Sequence, residues 1–207
     1  MGQRLQSADC PPPQAVRVIA CGALANEMLA IKAQANLSHI DLVCLPAILH
    51  NSPDDIPAAV EEAIVEAKSA SFGSVLVGYA DCGTGGMLDK VCEKHGVQRL
   101  AGPHCYSFYS GNEDFARTSE NEITSFYLTD FLARQFDAFV TRPLGLDRHP
   151  ELRDSYFGHY EKLVFLAQSD DADLTARAQR AAQQLGLEFE RRYTGFGDLT
   201  AELTGLS

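Results

Sequence analysis

Apolar residues recur along this chain in two alternating rhythms. The short runs "VRVIA" (16–20), "HIDLVCLP" (39–46), "SVLVGYA" (74–80) and "EKLVFLAQ" (161–168) read as strands, the first of them buried on both faces. Between them lie longer segments whose apolar positions fall three and four apart. Leu24, Met28, Ile31 and Ala35 mark a helix within 23–35, and Val60, Ala63, Ile64 and Ala67 mark one over 57–70. A helix over 87–95 stops at Gly96 and another over 173–185 stops at Gly186, because glycine accepts the left-handed backbone that ends a helix. Further strands are predicted at "QRLAG" (98–102), "DAFVT" (137–141) and "LEFERRY" (187–193). Ser119 and Glu122 have the spacing of a capping box, which predicts a helix from there to Gln135.

Strands alternating with helices imply βαβ units. The expected fold is α/β: a doubly wound, mainly parallel sheet in a three-layer αβα sandwich, Rossmann-like. Residues 1–15, polar with three consecutive prolines, read as a flexible tail that holds Cys10, and 16–207 as a single α/β domain. The segment 142–160 follows neither rhythm and reads as a lid or a helical excursion.

Composition narrows the partners. With 45% hydrophobic residues in 207, the chain can bury a core. A net charge of −11 repels phosphodiester backbones, so nucleic acid is not an expected partner. No apolar run approaches the ~20 residues of a membrane helix, and the first residues lack the apolar core of a secretory signal. A cytoplasmic location is therefore expected, where six cysteines point to ligation or catalysis before disulfides.

Where those cysteines fall matters more than their number. Cys21 ends the first strand, Cys82 follows the third, and Cys105 follows the fourth. Ligands of open α/β sheets bind beyond the carboxyl ends of the strands, so these three share one edge. Three converging thiolates suit zinc, or an iron–sulfur cluster with one open iron. The plain alternative is three small residues at tight turns. Cys44, within a strand, and Cys92, within a helix, read as small buried hydrophobes away from that edge.

Other polar residues fall at the same edge. Glu27 is placed as a base or a missing ligand, or else as an ordinary solvated helix charge. His50 and His104 are candidates for proton transfer or ligation, or else structural histidines. Tyr106 and Tyr109 are candidates to wall a pocket. The loop Gly83, Thr84, Gly85, Gly86 allows positive φ and a close ligand approach, although it is neither G-x-G-x-x-G nor a Walker loop.

The ordered motifs "IACGALANE", "LPAILHNSP", "GYADCGTGG" and "CYSFYSG" resemble the domain-of-unknown-function family numbered 1638, over roughly residues 16–200. The family's third motif reads His-Asp-Cys where this chain has Pro103-His104-Cys105, so His104 would act from the adjacent position. The resemblance implies, through neighbouring corrinoid-dependent methyltransferases, a place in one-carbon or methylated-compound metabolism. The expected function is a metal-dependent enzyme on a small-molecule substrate, of methyltransferase or lyase type, with Cys21, Cys82 and Cys105 holding zinc or a cluster. The alternative is a non-catalytic accessory module serving a methyltransferase or corrinoid protein, with a corrinoid reached only through that partner.

Overall fold

The structure, a computed structural model, describes residues 15–70, 72–119 and 122–206. The expected tail, with Cys10, lies outside the described residues up to residue 14. Among the described residues seven strands form two parallel sheets. The first contains β1 (Val16–Cys21), β2 (Ile40–Leu45), β3 (Ser74–Gly78) and β4 (Gln98–Arg99) in the order β2-β1-β3-β4. The second contains β5 (Ser125–Thr129), β6 (Lys162–Ala167) and β7 (Glu188–Tyr193) in that order. The architecture is α/β with parallel sheets flanked by helices, consistent with a Rossmann-like αβα fold. The strands are shared between two sheets rather than gathered in one.

The first sheet is connected by α1 (Ala25–Gln34), α2 (Ile56–Ser69) and α3 (Met87–His95), and followed by α4 (Cys105–Ser110) and α5 (Asn112–Ser119). The second uses α6 (Asp130–Phe136), α7 (Arg153–Phe157) and α8 (Ala172–Leu185). The last helix, α9 (Asp198–Thr204), returns to the first lobe, where Leu199 and Leu203 join its core. The central strands explain the apolar runs. Val18, Ile19 and Ala20 of β1, and Leu163 to Ala167 of β6, are fully buried; the β1 residues belong to one core, and Leu163, Phe165 and Ala167 to the other.

Four local expectations are corrected. No helix runs from Ser119 to Gln135; Ser125–Thr129 is a strand paired in parallel with β6, and the helix α6 starts only at Asp130. The "DAFVT" segment is one wide helical turn (Asp137–Thr141), with Arg142 N–H bonded to Asp137 C=O at 2.9 Å. A five-residue apolar run has no period that separates strand from buried helix, so pairing with β6 decides the first case and packing of Val140 into the second core decides the other. The strand expected over 98–102 is only Gln98–Arg99. Cys44 is exposed on the edge strand β2 rather than buried, whereas Cys92 is buried. Within 142–160 the chain forms a 3-10 turn (Pro150–Leu152) and α7.

Candidate functional site

The strand order of the first sheet starts in its middle: the chain passes from β1 out to β2 and then back across to β3. The reversal opens a crevice beyond the carboxyl ends of β1 and β3, the usual place for a ligand in such a sheet. Cys21, the last residue of β1, stands on one side of it and Cys82 on the other. Gly22 lets the chain turn sharply at this point, because an added Cβ would lie 2.9 Å from the Leu45 carbonyl. The Cys21 Sγ accepts from Ala23 N–H at 3.4 Å and lies 3.6 Å from His50 Nδ1, at the end of the turn after β2.

The loop after β3 is built on left-handed backbone. Gly83, Gly85 and Gly86 have φ of 83°, 60° and 80°, and so does one residue with a side chain: Cys82, at 52°. Among the described residues the other non-glycine with positive φ is Asn36, a residue type that tolerates it. For cysteine this conformation costs about 1 kcal/mol or more. Asp81 holds the loop in shape. Its carboxylate accepts from Thr84 Oγ1 at 2.8 Å, from Gly86 N–H at 2.9 Å and from Gly85 N–H at 3.2 Å. These bonds keep its pKa below the ordinary carboxylate value. Two amides that a phosphate would use are thus directed at a carboxylate, and the loop presents its cysteine rather than an anion cradle.

Cys105 opens α4, directly after His104. Two backbone bonds tie its loop to the one after β3: Asp81 N–H to Gly102 C=O at 3.2 Å, and Cys82 N–H to Pro103 C=O at 3.0 Å. Burial, followed by the nearby Cys21 thiol, pushes the Cys82 thiol up to about 12. Burial raises Cys105 well above the ordinary thiol value, with added effects from Cys82 and then Cys21. Cys21 is raised chiefly by burial. The three expected cysteines are therefore within electrostatic reach of one another. The Tyr79 hydroxyl is buried beside the Cys21 thiol, its pKa raised by burial and then by Cys21 and Cys82. Cys44, although exposed, also acts on Cys21 and Tyr79.

The second sheet closes the other side. A cavity of about 200 Å3 lies between the lobes. Cys105, Tyr106, His50 and Asn51 line it from the first lobe, and Thr129, Phe131 and Phe139 are among its walls from the second. Tyr106 stacks on Tyr127 of β5 with ring centroids 5.6 Å apart, and His104 meets Phe115 edge-on at 5.0 Å. Burial lowers the pKa of both His50 and His104, and His104 Nδ1 has no partner.

Glu27 is 4% exposed, so it is not a solvated helix charge. Its Oε2 has no partner, and burial, followed by the nearby Asp130, raises its pKa. Glu27 faces the second lobe, with Tyr109 feeling both this carboxyl and the Cys105 thiol. Asp130, not anticipated from the sequence, joins the carboxyl ends of β5 and β6. Its carboxylate accepts from Gln168 N–H at 3.0 Å and Ser169 Oγ at 2.5 Å, and its own N–H donates to Gln168 Oε1 at 2.7 Å. A strand read at "SFYLT" would have placed Asp130 at a strand's carboxyl end. Tyr79 was also missed, since an aromatic ending an apolar run looks like ordinary core.

The donors test the metal expectation. Among the described residues no three His, Cys, Asp or Glu side chains are placed to hold a single metal ion. A mononuclear zinc site does not fit this arrangement.

A family model described as "Protein of unknown function (DUF1638)" matches residues 44–203, more than three quarters of the chain. The chain belongs to the DUF1638 family. The matched region contains Cys82 and Cys105 and begins after Cys21. No curated protein and no solved structure matches the chain.

Proposed function

We propose that this DUF1638 protein is an enzyme of small-molecule metabolism whose reactive centre is an iron–sulfur cluster on Cys21, Cys82 and Cys105. What supports the reading is that thiols from the segments after three strands are near enough to influence one another's charge, one of them held in a strained conformation that glycine would adopt at no cost. Bound there, a three-cysteine cluster would supply an open, Lewis-acidic iron to a substrate heteroatom. The chain's own residues have separate tasks. His50 Nδ1, 3.6 Å from Cys21 Sγ, is placed to receive the proton that this thiol must release on loading. The buried Tyr79 hydroxyl, beside the Cys21 thiol, would donate to the thiolate form of that cysteine.

The cavity of about 200 Å3 sets the substrate size. It is smaller than drug-sized sites of about 300–1,000 Å3, so a dinucleotide does not fit inside it. Its apolar walls suit a small methylated compound, the substrate class implied by the family resemblance. Phe126, Phe131 and Phe139 exclude water, while Thr129 and Asn51 offer polar contacts to orient the molecule.

Purification without oxygen, followed by iron, sulfide and zinc analysis, tests the proposal. Iron and sulfide in the parent protein, both lost in Cys82→Ser, are expected. Zinc in place of iron, or metal-free protein that stays colourless after anaerobic reconstitution, overturns the cluster.

A further inference from the structure

A second cavity, of about 560 Å3, lies wholly within the second lobe. It is a groove between α6 with its wide turn on one side and α8 on the other, and it takes no part in the thiol site. Four arginines line it: Arg134 from α6, Arg142 just after the wide turn, and Arg177 and Arg180 from α8. We propose that this groove binds a small molecule carrying two or more adjacent phosphates.

The sequence spacing aims the cations together. Arg177, Arg180 and Gln184 lie three and four apart, so they share one face of α8. Ala133, Ala138 and Ala181 also line the groove, and these small side chains leave the space between the helices open. The opposite wall is irregular. Gln135 leaves helical geometry at φ −115° and ψ 21°, and the turn that follows is wide. Wide turns of this kind recur where a helix serves a ligand.

The charge balance favours an anion. Arg177 is paired with Asp173 at 2.7 Å, and Arg134 stands 3.8 Å from Asp130. Arg142 and Arg180 form no side-chain ion pair or hydrogen bond among the described residues. Asp137 is the acid on the groove's own lining. On a chain of net charge −11, four guanidinia set against Asp130, Asp137 and Asp173 leave this groove with an excess of positive charge. Two unpaired guanidinia can each grip a phosphate in fork geometry, and the other two can reinforce them. One phosphate would leave half of this set unused, which is why two or more are assigned. Gln135 and Gln184 provide amides for an uncharged portion of the ligand.

Calorimetry on the full chain at about 0.15 M salt, where long-range attraction is screened beyond about 8 Å, is the test. The probes are pyrophosphate and ATP, with inorganic phosphate and sulfate as comparisons. At least one of the first two is expected to bind more tightly than either comparison. Arg142→Ala and Arg180→Ala should each weaken binding about tenfold or more, with partial recovery in Arg180→Lys. Both residues are exposed, so thermal midpoint and thiol-bound iron should not change. Three results overturn the proposal: neither probe binds, all four anions bind alike, or the alanine variants bind as the parent does. Binding of polyglutamate without pyrophosphate would also overturn it and assign the groove to an acidic protein.

Discussion

Cys21 Sγ and His50 Nδ1 lie 3.6 Å apart although 29 positions separate them in the chain. Burial raises the thiol and lowers the imidazole, so both stay uncharged near neutrality. The pair is not the thiolate–imidazolium couple of a cysteine nucleophile. A cation at the site is what would make the thiolate the stable form.

Ligation should be selective. Replacing Cys21, Cys82 or Cys105 with Ser should abolish reconstituted iron, whereas Cys92→Ala should keep the iron and lose about 1 kcal/mol of stability. Cys44→Ser should retain iron too, since that thiol is exposed on the edge strand. Iron-to-protein ratios on parallel preparations check this, and equal loss in all five would refute the assignment.

Cys82 should reverse the usual order of glycine and alanine. At most positions Gly is less stable than Ala by about 0.5–1 kcal/mol. At φ 52° the left-handed penalty falls on Ala, so Cys82→Gly should be more stable than Cys82→Ala by about 1 kcal/mol. Urea midpoints on metal-free protein decide the sign. Both variants should fail to hold iron.

Glu27 should give stability a pH dependence of known sign. Its folded pKa is raised, so its contribution is fully present below the unfolded value and lost as pH rises through the folded one. Glu27→Gln removes that loss. Above the window its thermal midpoint should exceed the parent's by about 2–4 °C, and below it the two should converge. Midpoints measured from pH 4 to 8 check this, and parallel curves would count against a buried, raised carboxyl. If Glu27 is also a general base, turnover in Glu27→Gln falls about a hundredfold.

Asp130→Ala should be among the more damaging changes. It leaves Gln168 N–H and Ser169 Oγ–H unpaired where the carboxylate itself is 1% exposed. A loss of about 2–4 kcal/mol is expected, with Asp130→Asn losing less because an amide oxygen can still accept one of the two bonds. Urea midpoints of the two variants measure the difference.

Much of the fold was legible locally. The helix over 87–95 was read to the residue because Gly96 takes the left-handed stop, at φ 61°, and α8 ends the same way at Gly186. The strands β1, β3 and β6 were visible because a central parallel strand is apolar on both faces, a property written in consecutive residues, and the edge strand β2 carries an apolar run of the same kind although it is only partly buried. The strand-end positions of Cys21, Cys82 and Cys105 followed from the same reading.

What tertiary structure alone decided depends on neighbours distant in sequence. Residues 125–141 carry two five-residue apolar runs; pairing with β6 made the first a strand, and packing of Val140 into the second core made the second a helical turn. Division of the strands into two sheets arises because β5 pairs with β6 rather than extending from β4. That division places Asp130 opposite Glu27 and turns an apparent solvated charge into a buried carboxyl. Burial is a property of the whole assembly, so a residue's own sequence neighbourhood cannot contain it. The sequence by itself set which chemical groups stand at the strand ends; three-dimensional packing set which of them meet.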